Sequence, residues 1–409
     1  MKFEKTGWAD EFGFPVLRRI PEPADETVYA PATEAEKAQF EAARMALEMA
    51  SGGKNTLLYD DLGYPSVMVR IPKFRWCDVI PGGPKETCSA FIVNGKELDC
   101  IYISKYLNVV ERGRAYSLPN KDPANTIMID EAREACMKKG KGWHLLSNAE
   151  WCALAYWSIA NGTKPHGNGR FGSDHLSPWE SGVTVPEGRG FGLEDQYRTL
   201  TGSGPDTWNH DHGPWGVSDM NGNVWDWVSG FRVMDGEIQI IPNNDSAASV
   251  DESPDSPLWK AILPDGTLVE PGTSGTCKYD GTKPGTDSPK DISVPGGYHL
   301  NTELKYPNYT GDEEDTMHRA FGWMRFFDLK AAEGVQIPDI LRQLAIMPPA
   351  DESYKDGAIL FLRNYGERVC ARGGSWFNMP NCGIWDLYLR ETRAFIYPDI
   401  GFRSAYADI

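Results

Sequence analysis

Apolar residues recur along this chain with two distinct periods. In "SNAEWCALAYWSIANG" (147–162), Trp151, Leu154, Ala155 and Ile159 follow the 3.6-residue spacing of a helix. Ser147 and Glu150 form a capping box at its start, and Asn161-Gly162 closes it. A second box, Thr33 and Glu36, predicts a helix over 34–50 that stops at Ser51-Gly52-Gly53. "IDEAREACMKK" (129–139) predicts a third, halted by Gly140. Elsewhere the texture is short and β-rich. "YPSVMVRIPKF" (64–74), "AFIVNG" (90–95) and "IYISKYLNVV" (101–110) read as strands bounded by Gly and charge. "FRVMDGEIQII" (231–241) places Asp235-Gly236 where a two-residue hairpin turn belongs. Residues 242–300 are rich in Pro, Gly, Ser, Thr and Asp and read as a long surface insertion. Few helices and many loops predict an α+β fold whose loops carry function.

The period of two is clearest in "GIWDLYLR" (383–390). Ile384 precedes a face of Trp385, Leu387 and Leu389 suited to burial. Asp386, Tyr388 and Arg390 fall on the opposite face and are predicted to be exposed. Tyr and Arg held on a rigid strand are typical of binding hot spots. Tyr also offers contact area with few torsions to freeze. The surrounding segment, 372–403, is crowded with large side chains. Trp376, Trp385 and Phe402 are expected in the core, whereas Phe395 and Tyr397 are expected beside Tyr388 in an exposed site.

Composition narrows the classes. The 409 residues carry 41 basic and 58 acidic side chains, a net charge of −17, with no Lys/Arg cluster. Nucleic acid and anionic membranes are therefore poor partners. No apolar run reaches the roughly 18 residues of a membrane span, and the start "MKFEKTGWADEFGF" has no apolar signal core. A soluble chain without a recognisable export signal is expected. The eight Cys form no C-x-x-C pair and are irregularly spaced, which points to buried reduced thiols.

Three stretches, taken in order, resemble one family. They are "GWHLLSNAEWCALAYW" (142–157), "GPWGVSDMNGNVWDWVSG" (213–230) and "RGGSW…GFR" (372–403). Together they are similar to the formylglycine-generating-enzyme version of the C-type lectin fold. The resemblance covers about 64–409 and leaves 1–63 as an N-terminal helical appendage. It implies one of two trades. One is oxidation of a sulfatase cysteine to formylglycine. That chemistry needs two thiolates, five residues apart, to hold copper(I). Asn378 and Gly383 stand at those positions, so the oxidase is disfavoured and no enzyme is expected. The other trade is ligand binding by the variable proteins of diversity-generating retroelements, which include phage tropism determinants and bacterial surface proteins.

In the variable proteins a Gly-Gly-Asn-Trp motif, an Asn-rich stretch and Ile-Gly-Phe-Arg frame the diversified positions. Here those positions hold Phe377, Asn378, Asp386, Tyr388, Arg390, Glu391, Phe395, Tyr397 and Asp399. Randomised adenines in an Asn codon yield Phe, Tyr, Asp and Arg; Glu391 departs from that rule. The resemblance implies a protein or glycan receptor on a bacterial surface as partner, and a phage tail or bacterial surface as location. It leaves the oligomeric state open. It also implies a calcium turn at "DMNGNVWDW", with Asp219 and Asp226 as side-chain ligands and carbonyls from Gly222 and Val224. The alternative is a turn held by Asn/Asp hydrogen bonds. His210 and His212 in "NHDHG" are two apart, as zinc ligands can be, but a solvated loop is expected. The Gly-rich "GNGRFG" (167–172) is given no phosphate role.

Overall fold

The computed structural model describes residues 29–185, 197–282, 297–307 and 322–409, with the backbone of a hairpin in which Lys2–Ala9 pairs antiparallel with Pro15–Ile20. The architecture is α+β, built on two sheets and a few helices. Helix Glu34–Ser51 starts at Thr33, whose side chain accepts from the Glu36 N–H while Glu36 takes the Thr33 N–H. It ends at Gly52, which adopts the left-handed conformation a C-terminal cap requires. Helices Ile129–Met137 and Asn148–Ala160 form where the spacing predicts them. The latter is buried on nearly every side, from Asn148 through Tyr156. That is why its sequence is apolar almost all round.

The first sheet is antiparallel. Its strand order is Trp143–Leu145, Ser404–Tyr406, Cys100–Ser104, Pro65–Pro72 and Asn55–Tyr59. The C-terminal strand thus closes the sheet between two earlier ones. Asn55–Tyr59 pairs with Pro65–Pro72, so hydrogen bonding runs across the boundary expected at 63/64.

The second sheet carries the site. Its central order is Ile359–Leu362, Leu387–Leu389, Glu367–Arg372, Trp225–Met234 and Glu237–Ile240, with Ile400–Phe402 parallel to the start of Trp225–Met234. Asp235 and Gly236 both have positive φ, 47° and 77°, as the tight hairpin turn demands.

Residues 242–300 are not a surface insertion. Lys260–Ile262, Lys278–Gly281 and Tyr298–Asn301 extend the second sheet, and Trp259, Ile262, Tyr279 and Leu300 are buried. The segment's polar composition reflects its turns, while Leu258 stays exposed at the surface. Residues 283–296 lie outside those described.

Apolar side chains cover both faces of the second sheet. Leu387, Leu389 and Cys370 join the large core with helix Asn148–Ala160. Tyr388, Val369 and Ala371, alternating with them, join a smaller core with Trp225, Trp227 and helix Ile129–Met137.

Candidate binding cleft

The smaller core opens at one end into a cleft of about 40 Å³. Its floor is aromatic. Tyr388 lies 5.0 Å from Trp225 and 5.6 Å from Phe361, centroid to centroid. Its rim is formed by two loops. Phe377 and Asn378 follow the Gly373-Gly374 turn, and Asn378 Oδ1 pins that loop by accepting from the Ser375 N–H and hydroxyl. On the other side Phe395 and Tyr397 stack, 5.8 Å apart and 13° from parallel. Arg390 lies over the Tyr388 ring at 5.5 Å, and Asp399 completes the lining.

Seven of the nine positions expected to bind, namely Phe377, Asn378, Tyr388, Arg390, Phe395, Tyr397 and Asp399, line this one cleft. The two other lining residues, Trp225 and Phe361, come from neighbouring strands. Sequence reasoning missed them. Phe361 carried a readable signal, since it alternates with Leu360 and Leu362 in a strand-like run.

Exposure differs from expectation. Asp386, Tyr388, Arg390, Glu391 and Asp399 are all buried, whereas Phe377, Asn378, Phe395 and Tyr397 are half-buried. The strand Leu387–Leu389 is central, flanked on both edges, and its polar face meets the second core instead of solvent. Burial, reinforced by the Glu391 and Asp399 carboxylates, pushes the Tyr388 hydroxyl well above its ordinary pKa. Trp376, Trp385 and Phe402 are buried as expected.

Two candidates lie away from the cleft lining. Asp386 precedes the strand, in a turn where its own N–H donates to Gly383 O. Its carboxylate accepts from the backbone N–H groups of Ile359 and Gly383 at 2.9 and 3.1 Å. Burial pushes its pKa well above the carboxylate range. Glu391 turns behind the cleft, where it accepts from Arg390 and Tyr388 and faces Arg363. Burial alone would raise its pKa, but the Arg390 and Arg363 guanidiniums prevail and hold it below the usual value.

The residues of the expected calcium turn face a cation of the chain's own. Arg403 donates from Nε and Nη2 to the Asp226 carboxylate, and from Nη1 and Nη2 to the carbonyls of Ser218 and Asp219. Asp219 Oδ2 accepts from the Gly202 N–H. Burial pushes the Asp219 carboxyl up to about 6 and raises that of Asp226 as well. Of the four groups expected to hold calcium, the Asp226 carboxylate is thus paired with a guanidinium of the chain. Side-chain hydrogen bonds also hold the turn: Asn223 exchanges them with the Thr199 backbone, and Asn221 bonds to Pro165 O.

His210 is not in a solvated loop. It is buried, its ring lies 5.1 Å from that of Trp157 at a tilt of 50°, and its Nδ1 accepts from the Val217 N–H. His212 bonds to Lys164 O. In "GNGRFG" the glycines serve close packing. A Cβ on Gly167 would sit 1.7 Å from the Asn221 carbonyl oxygen. A larger cavity, about 280 Å³, lies between the end of helix Glu34–Ser51 and the loop at 210–215. It contains none of the nine candidate residues, and its lining mixes backbone glycines, Trp157 and Trp215 with Lys54 and Asp211. No protein-family model matches the chain, and no curated protein matches it.

Proposed function

We propose that this chain is a ligand-binding protein whose C-terminal segment, 372–403, is diversified by a retroelement on a C-type lectin scaffold of the formylglycine-generating-enzyme type. The observation that supports it is the composition of the cleft. A single cleft draws seven of its nine lining residues from positions the family resemblance marks as variable. Substitution at those positions rewrites the cleft while the two sheets stay fixed. A pre-ordered site of this kind loses less entropy on binding than a mobile loop does. The ligand is a receptor on a bacterial surface, and the protein serves phage receptor recognition or bacterial surface binding. Among the described residues no helix is long and apolar enough to cross a membrane.

The oxidase reading gains nothing from Cys382. That thiol is held against Gly373 O, and with Asn378 and Gly383 at the expected positions it lacks the cysteine pair that copper(I) needs. The test is calorimetry against a partner recovered by panning on bacterial surfaces. Phe377→Ala, Phe395→Ala and Tyr397→Ala are expected to weaken binding by about thirtyfold where the ring is an anchor, equivalent to about 2 kcal/mol. Full affinity in all three variants would overturn the reading.

A further inference from the structure

His210 brings an unpartnered donor to the larger cavity. Its backbone N–H donates to Val217 O, its carbonyl accepts from the Thr163 hydroxyl, and its Nδ1 accepts from the Val217 N–H. The ring is thus fixed, and its neutral tautomer carries the proton on Nε2. Burial keeps it neutral by bringing its pKa down to about 4. His210 is 5% exposed and lines the cavity of about 280 Å³, yet its Nε2 has no acceptor among the described residues. A sequestered donor without an acceptor costs free energy, and a ligand that supplies one recovers it.

The next residue supplies the complementary group. Asp211 Oδ1 accepts from the Gly213 N–H, while Oδ2 has only Lys54 Nζ near it among the described residues, at 3.7 Å, beyond hydrogen-bond length. A donor and an acceptor therefore line the cavity on adjacent residues. Trp157 and Trp215, both half-buried, give it aromatic walls. Trp215 is held in place through its carbonyl, which accepts from Asn55 Nδ2 at 2.7 Å.

These features select the occupant. Lys54 and Arg70, the cations in the lining, are both exposed, so an anion paired with them in water gains little. A planar base stacks best between parallel faces, but the Trp157 and His210 rings are tilted by 50°. A saturated, hydroxylated ring meets both conditions. Its C–H faces pack on indole, and its hydroxyls accept from His210 and donate to Asp211. The volume lies just under the roughly 300–1,000 Å³ of small-molecule sites, room for one such ring. We propose that this cavity binds one pyranose ring of a neutral saccharide, its hydroxyls held by His210 Nε2 and Asp211 Oδ2. The site is separate from the 372–403 cleft and does not depend on the reading given for that cleft.

The test is a titration of the full chain with the methyl glycosides of glucose, galactose, mannose and N-acetylglucosamine, beside adenosine and sodium acetate. It is read on the indole N–H NMR signals of tryptophan. At least one glycoside is expected to shift the Trp157 and Trp215 signals saturably. Asp211→Asn, which sets an NH2 where Oδ2 accepts, and Trp215→Ala should each weaken that glycoside at least about tenfold. The wild-type titration decides the matter even where a variant fails to fold. A silent glycoside panel, shifts confined to tryptophans outside the cavity, tighter binding of adenosine or acetate than of every glycoside, or unchanged affinity in both variants would overturn the assignment.

Discussion

A carboxylate that alternation places outward can still be structural, and Asp386 is such a case. It accepts from two backbone N–H groups while burial keeps its pKa high. Asp386→Asn keeps one acceptor oxygen but sets its NH2 against the other backbone N–H, and should cost about 1 kcal/mol. Asp386→Ala leaves the Ile359 N–H unsatisfied and should cost about 1–3 kcal/mol in urea unfolding. His210 supplies a pH dependence. Burial brings its pKa down to about 4, and Nδ1 is committed to the Val217 N–H. An unfolded histidine titrates near 6.5, so between pH 6.5 and 4 the unfolded chain holds more protons. Stability from this group is present above that window and is lost as pH falls through it, by up to about 3 kcal/mol. Asp219, raised to about 6, works in the opposite sense, since the folded chain takes up its proton first. The measurement is therefore a difference. Acid unfolding of His210→Gln, set against wild type, should show a smaller loss between pH 6.5 and 4.

At the level of elements, the two capping boxes have one pattern and two surroundings. Thr33 is exposed and Glu36 half-buried, and Thr33→Ala should cost about 1 kcal/mol. Ser147 is buried, and its hydroxyl also donates to Asn244 Oδ1 at 2.6 Å, while Glu150 bonds to His144 and Asn244. Ser147→Ala should cost at least about 2 kcal/mol, measured by the same denaturant melts. The boxes were legible in sequence because they are local: donor and acceptor lie three residues apart. The strand Leu387–Leu389 was legible in period and misread in exposure. Alternation reports that two faces differ. It does not report what covers each, and here helix Ile129–Met137 and the Trp225–Met234 strand cover the second face with distant residues.

For the whole molecule, the segment 242–300 is the sharpest difference. Read as a surface insertion, it would be removable. Its strands instead continue the second sheet, and Trp259, Tyr279, Tyr298 and Leu300 are core residues. Deleting 242–300 should abolish cooperative thermal unfolding and produce insoluble chain. A soluble deletion variant that melts cooperatively would mean those strands are dispensable.

The sequence by itself determined the three longer helices, the Asp235-Gly236 hairpin, the α+β class and seven of the nine residues that line the cleft. Each depends on spacing within one stretch, or on motifs whose order survives without coordinates. Only the tertiary structure decided burial. Tyr388 is walled in by Trp225 and Phe361, Glu391 faces Arg363, Arg368 and Arg390, and Asp226 is paired with Arg403. Those outcomes rest on contacts between residues far apart in the chain. A local pattern fixes which way a side chain points along its strand, but the partner that meets it is set by how the sheets close.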